Sequence, residues 1–172
     1  RRPPRSTLSS SAAASDVYKR QEWKGNLIVK GVLCPEDALQ IRDYGADAIY
    51  VSNHGGRQLD SAPSAISRLP LIREALGKGY PLIFDSGIRN GEGVVKALAL
   101  GADFVMLGRS AMYGLGAGGG TGLSNLIDMI SRETSAVMGL IGQQRTNMID
   151  ETCLANHASN LPNNVMSGRA AE

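Results

Sequence analysis

The chain has 172 residues, of which 42% are hydrophobic and 20% charged, and its formal net charge is +2 at pH 7. These values fit one globular domain and give no reason to expect a nucleic-acid partner. No apolar run reaches the roughly 18 to 20 residues that a membrane-spanning helix needs. The two cysteines, Cys34 and Cys153, show no ligand spacing, so neither a disulfide framework nor a metal site is predicted.

The first segment, residues 1–21, is rich in Arg, Ser and Ala and has no apolar periodicity, so we expect it to be disordered and outside the folded core. Such a start with few acidic residues is compatible with an organelle transit peptide. Its last six residues, DVYKRQ, also resemble the translation of a transposon end used in sequencing libraries. We favour this second interpretation, under which the segment is a non-native leader.

From Asn26 onwards, short apolar runs alternate with helical patterns, which is typical of repeated βα units. Each run is continuous, as expected for parallel strands that are covered on both faces. The pattern predicts strands at 27–30, 48–51, 81–84 and 104–107, and helices at 35–44, 62–76, 91–100 and 123–140.

Two segments, DYGADAIYVSN and ALGADFVMLGR, share a Gly-Ala-Asp step between a helix and a strand, and Gly45 and Gly101 suit helix C-terminal caps. The glycine-rich segment 114–122 lacks the context of a nucleotide-binding loop and is predicted to be a flexible connection to the last helix. Four βα units form either a small open parallel sheet or half of a (β/α)8 barrel.

Polar residues follow every predicted strand, at the end where parallel α/β folds bind their ligands. After the second strand, His54 and Arg57 can combine a base with a cation that holds an anionic substrate. The alternative is a loop histidine beside a solvated arginine. Lys30 either extends to solvent or faces a developing negative charge.

The last two strand ends read Asp85-Ser86-Gly87-Ile88-Arg89 and Gly108-Arg109-Ser110. Glycine amides and guanidinium groups suit a phosphate, and barrels commonly bind phosphate in the loops after strands seven and eight. Each motif alone is compatible with an ordinary turn that carries a surface arginine, and only their pairing favours the phosphate interpretation.

Four of these segments, LIVKGV, VSNHGGRQLD, DSGIRNGEGVVKALALGAD and VMLGR, resemble the FMN-dependent 2-hydroxy-acid dehydrogenase family. This family includes lactate dehydrogenases, glycolate oxidase and mandelate dehydrogenase, and its fold is a (β/α)8 TIM barrel. The resemblance implies that residues 22–154 are the C-terminal half of the barrel, strands five to eight. A polar tail, 155–172, follows, and its His157 is expected at the surface.

The resemblance also implies roles for individual residues. His54 is expected to be the active-site base, Arg57 to bind the substrate carboxylate, and Lys30 to lie against the N1/C2 edge of FMN, where it stabilises the negative charge of the reduced flavin. The remaining contacts to FMN are expected from Ser52, Asp85, Ser86, Gly87, Arg89, Gly108 and Arg109.

The implied reaction is oxidation of an L-2-hydroxy acid to the 2-oxo acid, with oxygen, a quinone or a cytochrome as electron acceptor. A tetrameric homo-oligomer in the cytoplasm or at the inner face of a membrane is expected, with an organelle as the alternative location. The family's first half-barrel supplies tyrosines, a second substrate-binding arginine and the aspartate that pairs the histidine. Because these residues are not in the chain, we expect the chain to be inactive alone.

Two other functions are compatible with the sequence. One is another FMN- or phosphate-binding barrel, such as flavin-dependent isopentenyl-diphosphate isomerase, which would need a diphosphate site in place of the carboxylate role of Arg57. The other is a non-catalytic half-barrel that only assembles with another chain.

Overall fold

The structure is a computed structural model that describes residues 22–155. The expectations for residues 1–21 and for His157 lie outside this range. Within it, strands and helices alternate: β1 (Ile28–Val32), α1 (Pro35–Asp43), β2 (Ala48–Val51), α2 (Ala65–Leu76), β3 (Leu82–Phe84), α3 (Gly91–Ala99), β4 (Phe104–Val105) and α4 (Arg109–Leu140). The four predicted βα units are therefore confirmed.

The four strands form one parallel sheet in the order β1-β2-β3-β4. Strands that are consecutive in the chain are neighbours in the sheet, as in a (β/α)8 barrel, whereas a doubly wound sheet reverses its strand order. Lys30 lies opposite Tyr50, and Tyr50 lies opposite Ile83. This register brings the carboxyl ends of the strands to one edge of the sheet.

Helices α1, α2 and α3 cover the same face of the sheet. Each of these helices contributes at least one fully buried residue to the core cluster, for example Ala38, Leu69 and Ala97. The strands contribute Ile49, Val51, Leu82 and Phe84. Burial of this apolar surface is the main stabilising contribution to such a fold. No helix among residues 22–155 is both long enough and apolar enough to cross a membrane.

The other face of the sheet is open in the part of the chain that the structure describes. Ile28 and Phe104 are 48% and 60% exposed, and their register partners place them on the face that carries Lys30 and Ile83. The expectation of strands covered on both faces is thus wrong for these residues. The open face corresponds to the interior of a barrel, so the sheet is half of a (β/α)8 fold.

Helix α2 begins later than predicted, at Ala65 and not at residue 62. Pro63 explains the difference, because a proline disfavours the helical conformation in the residue before it.

Helix α4 begins much earlier than predicted, at Arg109 and not at residue 123, and it includes the glycine-rich segment. The chain kinks at Gly118 and Gly119, which leave helical angles. A Cβ added to Gly122 would overlap the carbonyl oxygen of Gly114. The glycines therefore permit a close backbone contact across the kink, and the prediction of a flexible connection is wrong.

The repeated Gly-Ala-Asp step has one structural role in both places. Gly45 and Gly101 adopt φ values of +88° and +102° and end helices α1 and α3, as predicted. The following carboxylates, Asp47 and Asp103, each accept a hydrogen bond of 2.8 Å from the backbone N–H at the start of the preceding strand. The glycine of this Gly-Ala-Asp motif thus ends a helix, and its aspartate links two neighbouring strands through a hydrogen bond.

Candidate active site

An open cleft of about 270 Å³ lies at the carboxyl ends of the strands. The predicted site residues that line it are Lys30, His54, Arg57, Asp85, Ser86, Gly87, Arg89, Gly108 and Arg109. Ser52 is the predicted site residue that does not line the cleft, and its side chain is fully buried. Residues that are separated by up to 79 positions in the sequence therefore meet because the parallel strands end at one edge.

The turn that carries His54 is held in a conformation that is uncommon for a residue with a side chain. His54 has a φ of +54°, a region that costs roughly 1 to 3 kcal/mol outside glycine. The hydroxyl of Ser52 accepts a hydrogen bond from the His54 N–H at 3.1 Å, and Asn53 Oδ1 accepts one from the Gly55 N–H at 3.0 Å. These contacts fix the backbone that presents the imidazole to the cleft.

Lys30 and Asp85 form an ion pair inside the cleft, with 3.1 Å between Lys30 Nζ and Asp85 Oδ2. The Tyr50 hydroxyl donates to the same carboxylate oxygen at 2.9 Å, and the Ser86 hydroxyl donates to Asp85 Oδ1 at 2.8 Å. Burial alone would raise the pKa of Asp85, but the hydrogen bonds from Ser52, Ser86, Lys30 and Tyr50 outweigh it and hold the pKa below its ordinary value. Asp85 is therefore a carboxylate at neutral pH.

Burial and the neighbouring Asp85 carboxylate act together on Tyr50. Burial is the larger cause, and the hydrogen bond to Asp85 and the negative charge of Asp85 add to it, so the pKa of Tyr50 is raised. The phenol therefore keeps its proton at neutral pH and acts as the donor to Asp85.

The loops after β3 and β4 are joined beneath the cleft. The buried Ser110 hydroxyl donates to the Ile88 carbonyl at 2.9 Å. Gly87, with a φ of +91°, has open space where a Cβ would lie, so its backbone can approach a ligand closely. The backbone N–H groups of Gly87 and Gly108 make no hydrogen bond to other residues of the described range.

Three guanidinium groups face this cleft without an anionic partner. Arg57, Arg89 and Arg109 form no ion pair with any residue between 22 and 155. Arg89 lies over the ring of Tyr113, with 5.9 Å from Cζ to the ring centroid. Free guanidinium groups beside open backbone amides are the donors that a phosphate or carboxylate requires. The residues present therefore fit an anionic substrate and a phosphate-bearing cofactor.

Sequence reasoning missed several residues of the site. Tyr50 holds the predicted site residue Asp85, Ser110 bonds the backbone of Ile88, and Gln58, Met106 and Met112 line the cleft. Tyr50 could have been found, because it is the one polar side chain within an otherwise apolar run and it shares a strand face with Ser52. No group of three or more His, Cys, Asp or Glu residues in the described part of the chain is arranged to hold a metal ion.

The sequence model of a family described as FMN-dependent dehydrogenase matches residues 6–156. The chain is 50% identical over 135 residues to the L-lactate dehydrogenase of Acinetobacter baylyi, an alignment that covers 78% of this chain and 35% of that protein. It is 51% identical over 136 residues to the L-lactate dehydrogenase of a Caulobacter species, covering 79% and 36% of the two chains.

Solved structures of a mandelate dehydrogenase and a lactate oxidase are similar to this chain in both sequence and fold. A soluble mutant of the membrane-associated (S)-mandelate dehydrogenase from Pseudomonas putida superposes with a TM-score of 0.81 at 37% identity, covering 89% of this chain and 43% of that one. A lactate oxidase from Pediococcus acidilactici gives a TM-score of 0.72 at 40% identity, with coverage of 82% and 38%.

The chain spans little more than a third of the length of the curated relatives it matches, 35% and 36% for the two lactate dehydrogenases. This coverage agrees with the four-stranded half of an eight-stranded barrel. Since the family model covers most of the chain and the site residues fit a flavin phosphate, this chain belongs to the FMN-dependent dehydrogenase family.

Proposed function

We propose that the full-length protein containing this chain oxidises an L-2-hydroxy acid to the 2-oxo acid with FMN as cofactor. The observation that carries the proposal is the meeting of His54 and Arg57 with Lys30, Arg89 and Arg109 in one cleft. This cleft combines a base, a cation for a carboxylate and cations for a phosphate. The lactate and mandelate enzymes among its relatives are named for 2-hydroxy acids.

The phosphate of FMN is assigned to the loops after β3 and β4. Arg89 and Arg109 supply guanidinium groups, and Gly87 and Gly108 supply backbone N–H groups. Asp85 and Ser86 begin the loop after β3, and Asp85 pairs with Lys30, so these two residues are assigned to the ribityl chain. When bound, FMN accepts the two electrons that the substrate loses. Lys30 holds a positive charge at the strand end, where negative charge develops during the reaction.

The substrate is assigned to the loop after β2. The Arg57 guanidinium pairs with the carboxylate of the hydroxy acid, and a planar fork fits a carboxylate through two parallel hydrogen bonds. His54 takes a proton from the bound acid, either from the carbon or from the hydroxyl, since an imidazole is the usual general base near neutral pH. The exposed imidazole makes no hydrogen bond within residues 22–155, so its nitrogens are open to substrate.

Ser52 is assigned a supporting place in this scheme. Its hydroxyl accepts a hydrogen bond from the His54 N–H and donates one to the Asp85 carboxylate. We propose that any effect of Ser52 on the cofactor acts through Asp85, because the serine side chain is buried.

The test is anaerobic reduction of the full-length holoenzyme, followed by the loss of flavin absorbance. L-Lactate and L-mandelate are the first substrates to try, and their D-enantiomers are the controls. We expect bleaching with at least one L-acid and none with the D-acids. A holoenzyme that binds FMN but stays oxidised with every L-2-hydroxy acid tested would contradict the proposal.

A further inference from the structure

We propose that Tyr50 is a positioning residue that holds the Lys30–Asp85 pair in the arrangement that presents the Lys30 ammonium to the cofactor. The inference rests on the proposed function, because it assumes that the cleft holds FMN. It adds a residue that belongs to neither the substrate contacts nor the cofactor contacts assigned above.

Tyr50 contacts both members of the pair at once. Its hydroxyl donates to Asp85 Oδ2 at 2.9 Å, the same oxygen that lies 3.1 Å from Lys30 Nζ. The Lys30 ammonium lies 4.5 Å from the centroid of the Tyr50 ring, within the range of a cation–π interaction. The ammonium therefore contacts both a carboxylate and an aromatic ring.

The sheet register sets this geometry. Lys30 and Tyr50 are opposite residues of β1 and β2, and Tyr50 is opposite Ile83 of β3. Asp85 lies two residues beyond Ile83, which places it on the same face. The three side chains therefore lie on one face of the sheet at the edge of the cleft, with Lys30 and Tyr50 inside β1 and β2 and Asp85 directly after β3.

The Tyr50 hydroxyl bonds a side chain of the cleft, whereas a tyrosine with a purely structural role, Tyr80, bonds a backbone carbonyl. Tyr80 is also partly buried, but its hydroxyl donates to the backbone carbonyl of Ala46 at 2.6 Å. Ala46 precedes β2 and Tyr80 precedes β3, so this hydrogen bond lies at the amino ends of the strands. The Tyr50 hydroxyl instead donates its hydrogen bond to Asp85, a charged side chain that lines the cleft. Packing alone would be served by an apolar residue at this position of the strand.

The two contacts have a common electrostatic consequence. The hydroxyl disperses the negative charge of Asp85, and the ring gives the Lys30 ammonium a second attractive contact besides the carboxylate. Without the hydroxyl, Asp85 interacts more strongly with Lys30, and less of the positive charge is left to stabilise negative charge on a reduced cofactor. The midpoint potential of bound FMN should therefore fall.

The experiment uses the full-length holoenzyme and the variants Tyr50→Phe and Tyr50→Leu, with Tyr80→Phe as the matched control. Phe removes only the hydroxyl, and Leu removes the ring as well.

We expect Tyr50→Phe to lower the FMN midpoint potential. It should also reduce kcat by about three- to tenfold, the effect of one ordinary hydrogen bond, and change KM by less than about twofold. Tyr50→Leu should shift the potential further in the same direction. Tyr80→Phe should lower thermal stability and leave the potential unchanged.

A Tyr50→Phe enzyme with the unaltered potential and kcat, still reduced by 2-hydroxy acids, would overturn this inference and leave the proposed function intact. Equal shifts in Tyr50→Phe and Tyr80→Phe would also overturn it, because the effect would then be general loosening of the fold. Failure of the unaltered protein to bind FMN would overturn both proposals.

Discussion

Gly31 lies directly against the imidazole of His54: a Cβ added to Gly31 would sit 2.5 Å from His54 Cε1. Gly31 also has a φ of +98°, which residues with a side chain rarely adopt. The end of β1 and the turn after β2 therefore fit together only with glycine at this position. This contact limits where the imidazole can lie.

Gly31→Ala should displace the His54 side chain and lower kcat at least about tenfold, because a misplaced catalytic group loses rate steeply with distance. FMN should stay bound, since the phosphate loops are on β3 and β4. Gly79→Ala is the matched control, because nothing lies within 4 Å of a Cβ at that position. The measurement is kcat beside the flavin content of each purified variant. A Gly31→Ala enzyme with full activity would show that the imidazole has room to move.

His54→Gln should remove the base and keep the shape of the turn. We expect flavin reduction by L-2-hydroxy acids to slow by about a hundred- to ten-thousandfold, the range for loss of a general base. FMN content should match that of the unaltered enzyme. Stopped-flow absorbance under anaerobic conditions measures both. Rapid reduction of the variant by every acid that reduces the parent would contradict the assignment of His54 as the base.

Arg57→Lys should weaken substrate binding far more than FMN binding, because a single ammonium cannot reproduce the two parallel hydrogen bonds of a guanidinium group. The expected result is a KM raised about tenfold or more, with the dissociation constant of FMN unchanged within about twofold. Arg42→Lys is the control, since Arg42 pairs with Asp43 on α1. Equal binding of a 2-hydroxy acid and its neutral amide to the parent would contradict the role of Arg57.

The ion pair of Lys30 with Asp85 predicts a pH dependence of stability. The pKa of Asp85 is held below its ordinary value in the folded state, so the stabilisation is present above the unfolded-state pKa of about 3.9 and is lost as the pH falls through the folded-state pKa. At pH 7 the unaltered protein should therefore have a larger free energy of unfolding than the Asp85→Asn variant, and the difference should shrink as the pH falls below about 3.9. Urea titrations across this range measure the difference. A constant gap between the two proteins would contradict the prediction.

The elements that local patterns specify are the ones that the sequence predicts well. Strand β2 lies where its apolar run predicts, and the helix-capping glycines Gly45 and Gly101 have the expected left-handed conformation. The polar residues after each strand also meet in one cleft as expected, because parallel topology alone brings them to one edge.

What the sequence does not reveal depends on contacts between distant residues. The glycines of α4 look like a flexible linker in composition, and only the approach of Gly122 to Gly114 shows that they serve packing. Tyr50 stands out in the sequence as the polar residue of an apolar strand, but only the sheet register shows that it lies beside Lys30. Such pairings have no local signal, since they arise when the strands pair.

The last prediction concerns the chain itself, expressed alone. Its described sheet has four strands, and β1 and β4 each have a single neighbour. Unpaired edges invite pairing with other chains, and the open face exposes Ile28 and Phe104. We therefore expect the isolated chain to self-associate, with a mass above 18.2 kDa in light scattering.

We also expect no turnover from the isolated chain. Arg89 and Arg109 are present, so weak FMN binding is compatible with the structure, but the open sheet face leaves one side of the cleft without a wall. Misplacement of catalytic groups by about an ångström already costs on the order of a hundredfold in rate. The measurement is flavin absorbance after the chain is mixed anaerobically with excess FMN and a panel of L-2-hydroxy acids. Reduction at about 1 per second or faster, within the ordinary range of enzymes, would show that these 172 residues contain a complete active site.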